Sequence, residues 1–191
     1  MSIIGKQAPA WAGPAAKGGE IVNLSAEGLK GKWYVLFFYP LDFTFVCPTE
    51  IVGYDNAYEK FAAAGAEVIG CSVDSVHTHL AYQRTSRADA GVGQLKFPLL
   101  ADLDKKIMNA FDVADAAGDK ALRATFVVDP DGVVQAASIN NLSIGRNIEE
   151  TLRLVEAAKY TREHGEVCPA TWNGGKGMAA SLEGVKGVIG K

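Results

Sequence analysis

Cysteine is scarce in this chain: three occur among 191 residues, at positions 47, 71 and 168. An odd and small number does not build the disulfide framework of a small secreted protein, because such frameworks use several paired cysteines. Cys47 is followed by Pro-Thr-Glu, so the second cysteine of a Cys-x-x-Cys redox pair is missing. The sequence therefore argues against a disulfide-stapled fold and against a thioredoxin-type active site.

Long apolar runs and clusters of positive charge are also missing. No window reaches the roughly 18 consecutive apolar residues of a membrane helix, and the segment from Met1 to Pro9 has no apolar stretch behind a basic one. The formal net charge is −3, and no run of lysines and arginines forms a patch for nucleic acids or anionic lipids. We therefore expect a cytoplasmic protein with neither nucleic-acid nor membrane partners.

Signatures of bound cofactors are equally sparse. His77 and His79 are two residues apart on a predicted helix and point in different directions, while His164 is far along the chain, so no metal-ligand cluster emerges. The glycine-rich segment 174–177 lacks the serine or threonine that follows the lysine of a phosphate-binding loop. We predict neither a metal nor an organic cofactor.

Strand and helix patterns alternate along the chain. Apolar runs of strand length cover residues 33–39, 66–73, 97–101, 122–128 and 133–139. Helical periodicity covers residues 48–64, 76–88, 104–111 and 148–163. This order predicts an α/β protein with a thioredoxin-like fold, in which helices flank a mixed central sheet. We expect one domain over residues 1–164, followed by a glycine-rich, mobile C-terminal tail over residues 165–191.

The most informative segment runs from Pro40 to Cys47 and has the pattern Pro-x-x-x-Thr-x-x-Cys. It lies between an apolar strand and a helix that begins near Pro48, so Cys47 is predicted at a helix N-terminus. Free N–H groups and the helix dipole there stabilise a thiolate, which is the reactive form of cysteine. The Thr44 hydroxyl could bind that sulfur and a substrate oxygen. The alternative is an inert, buried cysteine.

This motif resembles that of the peroxiredoxins, and specifically the typical two-cysteine group that includes the peroxidase subunit of bacterial alkyl hydroperoxide reductase. The likeness runs nearly end to end and covers residues 70–75, 97–102 and 122–132 as well. Residues 165–170, Gly-Glu-Val-Cys-Pro-Ala, resemble the family segment that carries the second cysteine. The resemblance implies a thioredoxin-like fold and a thiol-dependent peroxidase that reduces hydrogen peroxide and organic hydroperoxides in antioxidant defence.

The resemblance also implies roles for the cysteines. Cys47 would attack the peroxide and become a sulfenic acid, which Cys168 of a partner subunit would capture as an intersubunit disulfide. Pro40 and Thr44 belong to the same family motif as Cys47. Cys71 lies in a predicted buried strand, where core packing is the expected role.

Charged residues complete the site that the resemblance implies. Arg123, in the segment Leu-Arg-Ala-Thr-Phe, would activate the sulfur and the peroxide, which suits a permanent cation with several donors. Arg146 and Glu50 would support this arrangement. The alternatives are a surface arginine at 123, a helix-entry residue at 146 and a simple helix cap at Glu50.

For partners, the resemblance implies a head-to-tail homodimer and a ring of five dimers, with ring contacts in residues 41–46 and 76–80. It also implies a protein disulfide reductant, either a thioredoxin or a dedicated flavoprotein. The chain lacks features of overoxidation-prone members, since it has Ala-Gly-Val-Gly at residues 90–93 in place of Gly-Gly-Leu-Gly and no terminal Tyr-Phe pair. We expect Cys168 to capture the Cys47 sulfenic acid before sulfinic acid accumulates.

Other function classes stay open on the sequence alone. A holdase chaperone or an oligomeric scaffold would keep its activity when Cys47 is replaced by serine. A thiol–disulfide exchanger would reduce insulin and ignore peroxide, whereas a regulatory peroxide sensor would share the reactive thiol. The preferred peroxide, the reductant and the ring size also stay open.

Overall fold

The computed structural model describes residues 2–190. Met1, which begins the predicted domain, and Lys191, which ends the predicted tail, lie outside the described residues. The strands are β1 (Ala12–Lys17), β2 (Glu20–Ser25), β3 (Trp33–Phe38), β4 (Ala66–Ser72), β5 (Leu99–Ala101), β6 (Arg123–Val128) and β7 (Val134–Asn140). The helices are α1 (Cys47–Ala63), α2 (Val76–Arg84), α3 (Lys106–Ala110), α4 (Ile148–His164) and α5 (Leu182–Ile189).

The strands form one seven-stranded mixed sheet in the order β2-β1-β5-β4-β3-β6-β7. The three central strands β5, β4 and β3 run parallel, while β6 pairs antiparallel with β3 and β1 pairs antiparallel with β5. The predicted thioredoxin-like α/β fold is confirmed. This topology places β6 directly beside β3, the strand whose end leads to the predicted reactive cysteine.

Apolar cores cover both faces of the sheet. On β3, Val35 and Phe37 enter one core, whereas Leu36 and Phe38 enter the other, as the two-residue period of a strand requires. The first core packs against α1 and α4, and the second packs against α3. Because β3 is buried over its whole length, the loop that follows it starts from a rigid base.

Two of the strands, β1 and β2, were not predicted from the sequence. β1 and β2 form an antiparallel hairpin whose turn contains Gly18 and Gly19, both at positive φ. A Gly-Gly pair is a typical two-residue hairpin turn, but the first strand is rich in alanine, which is uncommon in strands. The hairpin extends the sheet through β1, so β2 and β7 are its two edges.

The helix predicted over residues 76–88 is shorter in the structure. It ends at Arg84 because Thr85 and Ser86 both adopt extended backbone angles. The Ser86 side chain then accepts a hydrogen bond from the N–H of Asp89 and caps a separate 3-10 turn.

The C-terminal tail contains more secondary structure than the sequence predicted. Val167 and Met178 form an isolated antiparallel bridge, and α5 follows it. Trp172 is buried against α4, whereas Leu182 and Ile189 on α5 are exposed. The predicted mobility of the tail stays a prediction.

Candidate active site

Cys47 is the first residue of α1, and its side chain is fully buried. The buried strand β3 and the buried Pro40 lead into the loop of residues 41–46, at whose end the helix begins. The N-cap residue Val46 provides no side-chain hydrogen bond to the first turn. The positive end of the helix dipole therefore acts on the sulfur without a competing cap. The helix start predicted at this cysteine is confirmed.

Arg123 approaches the Cys47 sulfur from the neighbouring strand. It is the first residue of β6, and the antiparallel pairing of β6 with β3 brings together two residues that are 76 positions apart. Its Nη1 lies 3.4 Å from Cys47 Sγ, and its Nε donates to the carbonyl of Leu142 at 2.7 Å. Since only 5% of Arg123 is exposed, water screens this contact weakly. A guanidinium N–H in this position can donate a charge-assisted hydrogen bond to a sulfur.

Glu50 binds two arginines at the site. Its Oε2 accepts a hydrogen bond from Arg123 Nη1 at 2.7 Å, and its Oε1 accepts one from Arg146 Nε at 2.9 Å. The exposed side-chain fractions are 3% for Glu50, 5% for Arg123 and 3% for Arg146. One carboxylate between two guanidinium groups leaves one formal positive charge beside the Cys47 sulfur. Glu50 therefore joins the arginines and does not cap α1 with its side chain.

Arg146 links this cluster to the sheet. Its Nη2 donates to the carbonyl of Phe38 at 2.6 Å, and its Nη1 donates to the carbonyl of Ala124 at 3.0 Å. Its guanidinium carbon also lies 5.3 Å from the centre of the Phe37 ring. These contacts connect the residue before the α4 N-cap to the last residue of β3 and to the second residue of β6. Arg146 itself contacts Glu50 and makes no contact with the Cys47 sulfur among the hydrogen bonds of residues 2–190.

Thr44 lies on the loop before Cys47. Its Oγ1 donates to the carbonyl of Leu41 at 2.9 Å, so the hydroxyl proton is used within the loop. The oxygen keeps lone pairs with which to accept a hydrogen bond. The hydrogen bond expected from Thr44 to the sulfur is not formed in this structure. Phe43, its neighbour, has a φ of 52°, an uncommon backbone conformation for a bulky residue.

A buried polar network under this loop was not expected from the sequence. Asp42 Oδ2 lies 2.7 Å from His79 Nδ1, and Asp42 Oδ1 accepts a hydrogen bond from Tyr39 Oη at 2.8 Å. The N–H of Asp42 donates to Asp74 Oδ2 at 2.9 Å. Burial raises the pKa of the Asp42 carboxyl, although the contact with His79 opposes the shift. No local sequence pattern predicted this contact, because Asp42 and His79 lie 37 positions apart and meet only in the folded chain.

Cys168 lies on the tail beside α4 and is half-buried. Its sulfur lies 3.8 Å from the carbonyl oxygen of Ala157. Desolvation raises the pKa of its thiol, and the nearby Arg153 guanidinium only partly opposes that shift. Its neighbours belong to α4 and the tail, whereas those of Cys47 belong to β3, α1 and β6. One folded chain therefore holds the two cysteines in separate surroundings as free thiols.

Cys71 packs in the core, as expected. It is fully buried on β4, and burial raises the pKa of its thiol well above the usual value, with a smaller contribution from Asp102. It therefore stays a protonated, unreactive thiol.

Metal-binding clusters and membrane-spanning helices are both missing from residues 2–190. Within that range, no group of three or more His, Cys, Asp or Glu side chains is arranged to hold a metal ion. No helix in the same range is both long and apolar enough to cross a membrane.

Comparisons with known proteins agree with this geometry. The sequence model described as AhpC/TSA family matches residues 4–137, and the one described as C-terminal domain of 1-Cys peroxiredoxin matches residues 157–191. Probable peroxiredoxin prdx-3 of Caenorhabditis elegans is 47% identical over 165 residues, which are 86% of this chain and 73% of that protein. The chloroplastic 2-Cys peroxiredoxin BAS1 of Hordeum vulgare is 45% identical over 188 residues, which are 97% and 90% of the two chains.

A solved structure shares the whole architecture. The reduced 2-Cys peroxiredoxin of Plasmodium vivax is 39% identical and superimposes with a TM-score of 0.96, covering 100% of both chains. The sequence matches and the shared fold lead to one family. The chain belongs to the AhpC/TSA family and is a two-cysteine peroxiredoxin, a thiol-specific peroxidase with an antioxidant role.

Proposed function

We propose that this peroxiredoxin reduces hydrogen peroxide and small organic hydroperoxides through Cys47, and that Cys168 of a second copy resolves the product. The observation that carries the proposal is the 3.4 Å approach of Arg123 Nη1 to Cys47 Sγ at the start of α1. The guanidinium and the helix terminus favour the thiolate, which is the nucleophile that the reaction requires.

In the first step, the Cys47 thiolate attacks the peroxide oxygen that carries a hydrogen, so that the S–OH bond of the sulfenic acid forms while the O–O bond breaks. The electron pair moves to the other oxygen, which takes a proton from water and leaves as water or an alcohol. Arg123 stabilises the negative charge on that oxygen. Thr44 Oγ1 accepts a hydrogen bond from the peroxide, and Pro40 shapes the loop around it. Glu50 and Arg146 position Arg123.

In the second step, the sulfur of Cys168 from the partner attacks the sulfenic sulfur of Cys47. The S–S bond forms, the S–OH bond breaks, and the hydroxide takes the thiol proton and leaves as water. Both cysteines must leave their present surroundings first, because a disulfide needs Cα atoms about 4.4–6.8 Å apart.

A dithiol protein, either a thioredoxin or a flavoprotein reductase, then reduces the Cys47–Cys168 disulfide and regenerates both thiols. Both steps use thiols alone, so we propose no metal or organic cofactor.

A homodimer provides the second cysteine in this proposal. β7 is a sheet edge, and Ile139 on it is 49% exposed, so the edge offers both hydrogen-bonding groups and apolar surface to a second copy. On the loop of residues 41–46, Phe43 and Phe45 are 49% and 93% exposed and give apolar surface for a ring of five dimers. Residues 165–191 serve as the resolving tail of the peroxidase domain, residues 1–164.

A reducing compartment suits this cycle, because its dithiol proteins would return the Cys47–Cys168 disulfide to thiols after each turnover. We therefore propose the cytoplasm as the location. Fractionation of cells that express the full chain tests it, and recovery in an organelle would contradict it.

Mixing two single variants tests the proposed disulfide. Cys47→Ser keeps Cys168, and Cys168→Ser keeps Cys47, so neither variant alone can form a Cys47–Cys168 bond. After subunit exchange and one equivalent of hydrogen peroxide, we expect a covalent dimer in the mixture on a non-reducing gel. Peptide mapping should find Cys47 of one variant joined to Cys168 of the other.

Cys71→Ala is the matched control, since it removes the third cysteine and should leave dimer formation unchanged. A covalent dimer from Cys168→Ser alone that matches the mixture in yield would show that Cys168 is not the resolving residue. A Cys47–Cys168 bond confined to monomers of the wild type would contradict the intersubunit arrangement.

A further inference from the structure

The segment that carries Cys168 forms a closed loop with a narrow neck. The N–H of Val167 donates to the carbonyl of Met178 at 2.9 Å, and the N–H of Met178 donates to the carbonyl of Val167 at 2.9 Å. These two bonds join the ends of residues 167–178, which we name the Cys168 loop. Because Cys168 lies just inside the neck, it cannot travel far unless the neck or its attachment to α4 opens.

One hydroxyl group on α4 holds both sides of this neck. Tyr160 Oη donates to Glu166 Oε2 at 2.6 Å on the first side, and it accepts a hydrogen bond from the N–H of Gly177 at 2.8 Å on the second side. The bond to Glu166 raises the pKa of the Tyr160 hydroxyl. The phenol therefore stays protonated around neutral pH and keeps donating to the carboxylate.

The packing at Gly177 is equally tight. A Cβ atom there would lie 2.6 Å from a ring carbon of Tyr160 and 2.9 Å from the carbonyl oxygen of Val167. Only glycine lets the second side of the neck approach the phenol this closely. The Tyr160 hydroxyl and the absence of a side chain at Gly177 therefore both support the contact between Tyr160 and the second side of the neck.

The far end of the Cys168 loop is attached to the same helix. The Trp172 ring lies 5.4 Å from the Tyr160 ring, centre to centre, and only 7% of Trp172 is exposed. Arg153 Nη1 donates to the carbonyl of Trp172 at 3.0 Å. The aromatic contact does not need the Tyr160 hydroxyl, so the hydroxyl can be removed while the ring packing stays.

We propose that the Tyr160 hydroxyl is a positioning group for the resolving step. Its hydrogen bonds to Glu166 and Gly177, which we name the Tyr160 clasp, hold the Cys168 loop against α4. The rate at which these bonds open sets the rate at which Cys168 is released to the Cys47 sulfenic acid. The inference rests on the proposed role of Cys168. Slow release leaves the sulfenic acid exposed to a second peroxide, which oxidises the sulfur to a sulfinic acid and leaves as water or an alcohol. The clasp therefore sets the peroxide concentration at which the enzyme is overoxidised.

Tyr160→Phe tests the clasp with the full, reduced chain. We expect the amide of Gly177 and the rest of the Cys168 loop to exchange hydrogen about tenfold faster, because two hydrogen bonds at the neck are lost. The rate constant for disulfide formation after a single turnover should also rise about tenfold, with an equal rise in the peroxide concentration that half-converts Cys47 to the sulfinic acid. The initial reaction of Cys47 with peroxide should not change.

Two companion variants make the test specific to the neck of the Cys168 loop. Gly177→Ala should change the same quantities in the same direction, because it separates the neck from the phenol by steric pressure alone. Tyr58→Phe is the matched control: it removes the hydroxyl of a tyrosine on α1, outside both α4 and the Cys168 loop, and should change none of these quantities.

The possible results separate the inference about the Tyr160 hydroxyl from the proposed role of Cys168. Unchanged hydrogen exchange in Tyr160→Phe would show that the hydroxyl does not hold the loop. Faster exchange with an unchanged rate of disulfide formation would show that release of Cys168 does not limit resolution, and either result overturns this inference alone. Failure of the wild type to form any Cys47–Cys168 disulfide would overturn the proposed function as well.

Discussion

Replacing Arg123 with methionine should lower the second-order rate constant for hydrogen peroxide by about 10²–10³, the usual loss when a donor to a developing negative charge is removed. Methionine keeps much of the bulk but neither the charge nor the N–H that lies 3.4 Å from Cys47 Sγ. The fold should persist, because Glu50 keeps its contacts with Arg146. Stopped-flow measurement of the first turnover reports this rate constant directly.

Two comparisons show how Arg123 acts. Arg123→Lys should recover only part of the loss, since an ammonium keeps the charge but cannot hold the sulfur and the peroxide with a planar fork of donors. Alkylation of Cys47 by iodoacetamide at pH 7 should slow as well, because it too needs the thiolate. Arg87→Met is the control, as Arg87 is a partly exposed arginine that pairs with Asp55. A rate for Arg123→Met within threefold of wild type would contradict the proposed role.

Replacing Glu50 with alanine should lower the free energy of unfolding by about 3–5 kcal/mol, the typical cost of removing one partner of a buried ion pair. The loss leaves the guanidinium groups of Arg123 and Arg146 close together without the carboxylate between them. Urea unfolding of the reduced protein measures the change, at one fixed protein concentration because self-association also contributes.

The matched control for this prediction is Glu150→Ala. Glu150 also pairs with an arginine, Arg153, but 47% of its side chain is exposed, so the change should cost about 1 kcal/mol or less. Glu50→Gln should fall between the two, since the amide oxygen still accepts a hydrogen bond but the charge is lost. A cost for Glu50→Ala no larger than that for Glu150→Ala would show that the buried cluster does not depend on this carboxylate.

The position of Cys47 could be predicted because its causes are local. The apolar run that becomes β3, the proline that follows it and the proline after the cysteine all act within a few residues of the sulfur. The same holds for α4, because the side chain of its N-cap residue, Asn147, accepts hydrogen bonds from the N–H groups of Glu149 and Glu150.

The rest of the site depends on contacts between distant segments. Arg123 meets Cys47 only because β6 pairs with β3, and the resemblance to a family, not the local pattern, pointed to it. The contact between Asp42 and His79 and the clasp at Tyr160 have no local signature at all. The helix α5 was missed because Gly184 and Gly187 interrupt its apolar periodicity and glycine disfavours helices.

The decisive measurement is the single-turnover consumption of hydrogen peroxide by the reduced wild type, Cys47→Ser and Cys168→Ser, followed by stopped flow. If Cys47 is the nucleophile and Cys168 only resolves, wild type and Cys168→Ser should consume the first equivalent at the same rate. Cys47→Ser should then be slower by at least about 10³, because a serine hydroxyl at neutral pH is a poor nucleophile without an adjacent base. Equal rates for Cys47→Ser and the wild type would contradict the assignment of peroxidase chemistry to this site.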